Sequence, residues 1–427
     1  MVVHMSKEKY MLIGAILLSL ALAVPATSAC APAPAPPPKE KIVSYLSLGD
    51  YTGPIAGLNV PADTGCEDMF KEINAKGGVG GVKINAIFVD TRYDVARGVS
   101  AYKRYRTEPK LLVVNAISTP FGKAIYPMTA KDKVVQLAPG DGEAQAFIGW
   151  VFTWGVCYQN AFGASIDLIL EDWKNKGKSG VPTVGYMSWD SAYGREPLRG
   201  GKEYAEKMGV NLLPPEFFPT GALDHSVWLK RLAEGGADYI LIGGVDPTPS
   251  NILRDAHKMG LTKTIQFIDT TFWGPTEAVG IKLHPEATEG CWVNSYYVRG
   301  DECWAHPLAA KMVPKYRGMS VDEFRKTTPA NYVTGMVFWP LVYEEALKRA
   351  LDAVGYEELD GEDMKVAYES LTGLDISQGL TGPCTYSPTN RQGSDVTKFY
   401  VVKGGKNVPL TGWRKVPDCV ALHDWSE

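Results

Sequence analysis

Several residues spaced along this chain could hold a small organic molecule, and none is arranged to break one. Ser118 and Thr119 offer hydroxyls and backbone N–H groups just ahead of Pro120, a residue favoured at the first position of a helix. Such a helix start cradles a carboxylate or an amide, and it is equally an ordinary N-cap. Ala138-Pro139-Gly140-Asp141-Gly142 forms a second polar loop, in which Asp141 either contacts a ligand or stabilises the turn. Tyr193, in Ser191-Ala192-Tyr193-Gly194, brings a flat apolar face and one hydroxyl. Asp246 and Asp269 are carboxylates able to meet a cationic group, with Thr270 beside the second. Trp154, Phe272 and Trp273 supply an apolar wall, and Tyr51 stands in a glycine-flanked loop. Neither Ser118 nor Tyr193 is expected to be core.

Catalytic arrangements are missing from the sequence. There is no G-x-S-x-G elbow, no H-E-x-x-H and no phosphate-binding P-loop, and the 6 His are scattered. The 7 Cys include no C-x-x-C, which argues against a thiolate zinc site. The expectation is therefore no catalytic residue, no metal and no cofactor. A net charge of −4 gives no reason to expect nucleic acid.

The elements that must position these residues alternate. Ile42–Leu48 is an apolar run, Gly49–Gly57 a turn-rich loop, and a helical pattern follows from about Ala62 to Ala75. Lys76-Gly77-Gly78 stops it, and Val82–Val89 is a second apolar run ending at Asp90. Strand, loop, helix and strand make a right-handed parallel βαβ unit. Strands follow at Lys110–Ala116, Lys133–Ala138 and Trp150–Trp154, then a helix at Tyr158–Lys174. The alternation resumes with strands at Thr183–Trp189, Ala237–Ile242 and Ile265–Ile268, and Pro214 with Pro215 makes Val210–Phe218 an irregular or edge strand. Fully apolar strands imply a sheet covered on both faces. Each candidate residue lies just after a strand, where open parallel sheets bind ligands. Pro340 predicts a break near Trp339 within the helical stretch Pro329–Leu351. Gly404-Gly405 reads as a hairpin turn after a strand at Lys398–Lys403.

The opening unit is specific in its wording. Asp50-Tyr51-Thr52-Gly53-Pro54-Ile55-Ala56, then Glu72-Ile73-Asn74-Ala75-Lys76-Gly77-Gly78, then a strand ending in Asp90, resembles the branched-chain amino-acid-binding family, type I periplasmic binding proteins of ABC importers. The resemblance can be followed over most of residues 41–403. It implies an α/β fold of two Rossmann-like lobes with parallel sheets, joined by a three-crossover hinge. Lobe one would be residues 41–155 plus 291–382, with a strand at Trp292–Val298 returning to it, and lobe two 156–290 plus 383–427. The Ser118-Thr119 loop matches one that holds a ligand carboxylate, and Tyr193 matches a tyrosine that closes over the ligand. Asp269 stands near the position of a carboxylate that takes the ligand ammonium. Two departures lean away from a plain aliphatic amino acid: Gly142 replaces a hydroxyl residue, and Trp154 stands close to a frequent Arg. Aromatic acids or amides fit the aromatic surplus.

The N-terminus reads as a targeting segment. Lys7 and Lys9 precede an apolar run, Met11–Val24, shorter than the roughly 20 residues of a membrane span. Thr27-Ser28-Ala29-Cys30 resembles a lipobox with Thr where Leu is usual, so plain cleavage after Ala29 stays open. A signal peptide at 1–29, a lipidated Cys30 and an Ala/Pro-rich tether over 30–40 would hold the domain off a membrane. The six remaining cysteines suggest disulfides, Cys291–Cys303 first and Cys384–Cys419 second. The combined expectation is a monomeric extracytoplasmic lipoprotein that binds a small molecule and serves an ABC permease. A ligand-binding module of a membrane sensor and a secreted α/β hydrolase are the alternatives.

Overall fold

The structure, a computed structural model, describes residues 40–426. The leader 1–29, Cys30 and all but the last residue of the tether therefore lie outside the described residues. Among the described residues, no helix is long and apolar enough to cross a membrane.

Two sheets carry the chain. The first is built from β1 (Ile42–Gly49), β2 (Lys83–Asp90), β3 (Leu111–Ala116), β4 (Val135–Ala138) and β5 (Val151–Thr153), all parallel, in the order β2-β1-β3-β4-β5. The helices between them are α1 (Ala56–Ala75), α2 (Val95–Tyr105), α3 (Thr119–Asp132) and the short α4 (Gly142–Ala146). α1 starts about six residues ahead of the expected point, with Pro61 inside it. β1, β3, β4 and β5 are apolar and buried almost throughout, as a sheet covered on both faces requires.

α5 (Tyr158–Asn175) leads to the second sheet. Its parallel part is β6 (Thr183–Trp189), β9 (Tyr239–Ile242), β10 (Gln266–Asp269) and β11 (Trp292–Ser295). Pro214 and Pro215 break the expected edge strand into β7 (Asn211–Leu212) and β8 (Glu216–Phe218), which pair successively with β6. Between β6 and β7 lies the single-turn helix α6 (Ala192–Arg195). β12 (Thr372–Leu374) and β13 (Cys384–Thr385) form a separate pair. β14 (Val396–Lys403), β15 (Lys406–Pro409) and β16 (Arg414–Lys415) add an antiparallel edge beyond β11. Gly404 and Gly405 make the β14–β15 turn with φ of 58° and 78°, the left-handed pair that a two-residue hairpin needs.

Two expectations are corrected. β11 does not return to the first sheet: it pairs with β10 and β14, and its buried Asn294 Nδ2 donates to the Ala161 carbonyl on α5 at 2.9 Å, which ties it to the second sheet's own layer. The disulfides Cys291–Cys303 and Cys384–Cys419 are not formed. All six cysteines are free and buried in separate surroundings. The Cys291 thiol donates to the Trp292 carbonyl at 3.3 Å, and the Cys303 thiol donates to the Ala330 carbonyl at 3.6 Å. Cys419 packs against Gly163.

The break near Trp339 is present. One helix runs Asn331–Phe338 and the next Pro340–Glu358, with Trp339 at φ −109° and ψ −57° between them. Pro340 lacks an N–H and crowds the preceding turn, which ends the first helix there. The helix Asn331–Phe338 packs closely on α1. Gly65 and Gly335 make this approach workable, since a Cβ would stand 2.0 Å from the Tyr332 carbonyl oxygen and 1.9 Å from that of Ala62, respectively.

Candidate functional site

The carboxyl ends of the strands of both sheets converge on one cavity of about 50 Å³. From the first sheet come Tyr93 after β2, Ile117 and Thr119 after β3, Pro139 after β4 and Trp154 after β5. From the second come Tyr158 opening α5, Tyr193 after β6, Val245 after β9 and Trp273 after β10. α1 adds Ile55, Leu58, Asn59 and Ala62, and the broken helix adds Asn331, Thr334, Phe338 and Trp339.

Aromatic rings form most of the wall, and they brace one another. Trp154 meets Trp339 at 5.1 Å and Trp273 at 6.0 Å between centroids, both edge to face. Tyr158 meets Tyr193 at 5.2 Å, and Tyr193 meets Trp189 at 5.6 Å. Such contacts fix ring planes and present flat apolar faces. Their polar atoms are mostly occupied within the protein. Trp154 Nε1 donates to Asn115 Oδ1 at 3.0 Å, and Trp273 Nε1 donates to the Tyr158 hydroxyl at 3.0 Å. The Tyr193 hydroxyl lies 3.0 Å from the Gly244 carbonyl and 2.7 Å from Thr271 Oγ1. Tyr193 is only 2% exposed and Ser118 is fully buried, so both are core residues, contrary to the expectation that neither is.

Unoccupied polar atoms gather at the start of α3. Ser118 is its N-cap residue but makes no capping bond. Ser118 Oγ and Thr119 Oγ1 are buried without a partner, as is the Trp339 Nε1 donor. Burial pushes the Tyr93 phenol up, and the nearby Ser118 hydroxyl partly offsets that. A buried hydroxyl without a partner costs free energy, which a ligand acceptor would recover.

Of the sequence candidates, Thr119, Trp154, Tyr193 and Trp273 line the cavity, with Ser118 directly beside it. The others are engaged elsewhere. The Tyr51 hydroxyl donates to Asp63 Oδ2 at 2.8 Å. Gly140 lies under Tyr158, whose N–H its carbonyl accepts at 2.7 Å. Asp246 accepts from Thr276 N at 2.9 Å, Thr276 Oγ1 at 2.7 Å, Gly280 N at 2.9 Å and Ser250 Oγ at 3.1 Å, a saturated carboxylate that ties loop to helix. Asp269 accepts from Gly274 N at 3.2 Å, and burial pushes its carboxyl up to about 8. Thr270 shares a hydrogen bond with Ser165 at 2.9 Å.

Asp141 belongs to a buried charge cluster that joins the two sheets' loops. Lys123 on α3 lies 3.3 Å from Asp141, 3.1 Å from Glu143 and 2.7 Å from Glu196, which follows α6. Glu196 Oε1 also accepts from Gly142 N at 3.1 Å and Gln159 Nε2 at 2.9 Å, and Arg199 pairs with Glu143. Gly142, expected near a ligand, thus faces Glu196. Burial and the neighbouring Glu196 raise Asp141 well above the usual carboxylate range, while Lys123 counters burial at Glu196 and leaves it lowered.

The sequence reading missed Tyr93, Tyr158, Asn59, Asn331, Phe338 and Trp339. Tyr93 had a signal, since it follows a strand end. Trp339 had half of one: its helix break was legible, but its place against Trp154 was not. Among the described residues, no group of three or more His, Cys, Asp or Glu could hold a metal ion.

Comparison with known proteins agrees with this architecture. The Leu/Ile/Val-binding protein BraC3 of Rhizobium johnstonii is 23% identical over 366 residues, covering 84% of this chain and 90% of that protein. A Leu/Ile/Val/Thr-binding protein of Salmonella typhimurium is 23% identical over 57% of this chain, and the match spans 64% of that protein's own length. A branched chain amino acid ABC transporter structure from Thermus thermophilus, with bound valine, superposes with a TM-score of 0.75 at 20% identity, covering 89% of this chain and 98% of that one. A solute binding protein of an ABC transporter from Rhodopseudomonas palustris, in complex with p-hydroxybenzoic acid, gives 0.71 at 15% identity, covering 89% and 98%. The Periplasmic binding protein family matches residues 47–407, and the chain belongs to it.

Proposed function

We propose that this protein captures a small organic molecule between its two lobes and presents it to an ABC permease from the extracytoplasmic side. One observation carries this reading. A cavity lined from both sheets keeps unpartnered hydroxyls at a helix start and flat aromatic faces opposite. A ligand there touches both lobes at once, so it favours the state in which they meet, and that state is what a permease would recognise. The relatives' names point the same way, toward Leu, Ile and Val in BraC3 and p-hydroxybenzoic acid in the Rhodopseudomonas protein. Binding without turnover suits a cleft in which no nucleophile and base meet. The lobes are proposed as residues 41–155 with 291–382 and 156–290 with 383–427, the second crossing moved past β11, which pairs within the second sheet.

A lipid on Cys30 and the Pro-rich tether would keep the protein, as a monomer, near its permease. Mass spectrometry of membrane-fraction protein tests the anchor, and an unmodified N-terminus in fully soluble protein would refute it. A thermal-shift screen against a metabolite library tests the binding role. A ligand at 100 times its Kd adds about 2.7 kcal/mol, a readily seen shift. Conversion of the hit to product by the wild-type protein would overturn the reading.

A further inference from the structure

The cavity is lined by uncharged polar groups and apolar faces without a single charge, and we infer that its ligand is an apolar, preferably aromatic, monocarboxylate that lacks an α-ammonium group. This rests on the cleft being the solute site, and it goes further by excluding free amino acids.

The lining residues include no Asp, Glu, Lys, Arg or His among the described residues. An ammonium group therefore meets only uncharged acceptors, and several of these are already engaged. Asn59 Oδ1 accepts from the Asp50 N–H. The Tyr158 hydroxyl accepts from Trp273. The Tyr193 hydroxyl is held between Gly244 and Thr271. The carboxylates behind the wall are also spent. Asp246 has four donors within 3.1 Å. Asp63 takes Ser47 at 3.1 Å, Tyr51 at 2.8 Å and Asn59 at 3.2 Å. Asp269 is buried, its carboxyl pushed up to about 8 by that burial, and it accepts from Gly274 N at 3.2 Å and Thr271 Oγ1 at 3.4 Å. An ammonium brought here would lose its water and gain no counter-charge, a cost proteins avoid.

A carboxylate meets the opposite conditions. It would lie at the positive end of the 14-residue α3, with two buried hydroxyls free to donate. Trp339 Nε1 is a further donor on the wall without a partner. The remaining surface is aromatic and aliphatic, which suits a ring or a branched chain.

Titration calorimetry on the wild-type protein at pH 7.5 with three shape-matched pairs tests the inference. The pairs are phenylacetate with phenylglycine, 3-phenylpropionate with phenylalanine, and 4-methylpentanoate with leucine. At least one carboxylate should bind about 100-fold or more tightly than its amino acid. Thr119→Val, which keeps shape and removes the hydroxyl, should weaken that carboxylate about tenfold. Amino-acid binding within tenfold of its partner overturns the ligand class. If Thr119→Val or Trp273→Phe weakens that amino acid, the cleft stands as the solute site. If neither does, the cleft reading falls too. No binding by any of the six compounds also overturns the inference, and the metabolite screen then decides the broader role separately.

Discussion

Replacing Lys123 by Met should weaken ligand binding by two orders of magnitude or more, although Lys123 does not line the cavity. Its ammonium lies within 3.3 Å of Asp141, Glu143 and Glu196, contributed from both sides of the cleft. Three carboxylates face two cations, Lys123 and Arg199. Without Lys123, the Asp141 and Glu196 side chains, 0% and 1% exposed, would confront each other with Arg199 3.8 Å from Glu196. Removing one partner of a buried pair costs about 3–5 kcal/mol. Proton uptake sets a similar ceiling: protonating an ordinary carboxylate at pH 7.5 costs about 4 kcal/mol, roughly three pH units at 1.36 kcal/mol each. The cost falls on the state in which the lobes touch, because Glu196 is solvated once its loop withdraws. Affinity should therefore drop about 100-fold to 1,000-fold at pH 7.5. Lowering the pH supplies the missing proton. The contact state of the variant binds a proton that the separated state has lost, so its affinity should recover toward pH 5.5. The double variant Lys123→Met/Glu196→Gln should recover affinity at pH 7.5 as well. Calorimetry with the screened ligand decides the matter, and single-variant affinity within threefold of wild type would refute the reasoning.

Asp269 predicts a pH dependence of stability. Its carboxyl is raised from the ordinary range to about 8, so the folded chain holds a proton that the unfolded chain has lost between about pH 4 and 8. Its contribution to stability is present below that window and declines as pH rises through it, by at most about 1.4 kcal/mol per pH unit. Asp269→Asn should flatten the fall in urea midpoint between pH 6 and 8, and an unchanged slope would assign it to another group. Gly335→Ala puts a Cβ 1.9 Å from the Ala62 carbonyl oxygen on α1. Overpacking of this kind costs about 1–3 kcal/mol, so both the melting temperature and ligand affinity should fall. The six buried thiols should resist alkylation in native protein and react fully in denaturant without reductant, which peptide mapping will read.

Much of the frame was legible because it is written locally. Apolar runs, Gly-Gly stops and Pro340 each act through the backbone of a few neighbouring residues, and they marked the parallel strands, the Trp339 break and the Gly404-Gly405 turn. The cleft was legible in part for a related reason: a residue just after a parallel strand must lie at the binding edge, and Thr119, Trp154, Tyr193 and Trp273 all do. Residue type and strand position could not tell which side chains at that edge were still free.

Contacts between distant segments settle that. Asp246 is spent on Thr276 and Gly280, about 30 residues downstream, and Asp141 on Lys123, Tyr126 and the cluster around Glu196. Cys291 and Cys303 are near in sequence, yet a disulfide needs a Cα separation and a pair of Cβ directions that sequence spacing does not fix. Trp339 reached the cavity because its helix packs on α1 through Gly335, a contact between residues far apart in the chain. Local residue patterns set the elements and the sheet edge at which the candidate residues stand. Packing between distant segments settles which polar groups there remain unpaired, and those are the groups through which the proposed ligand would be held.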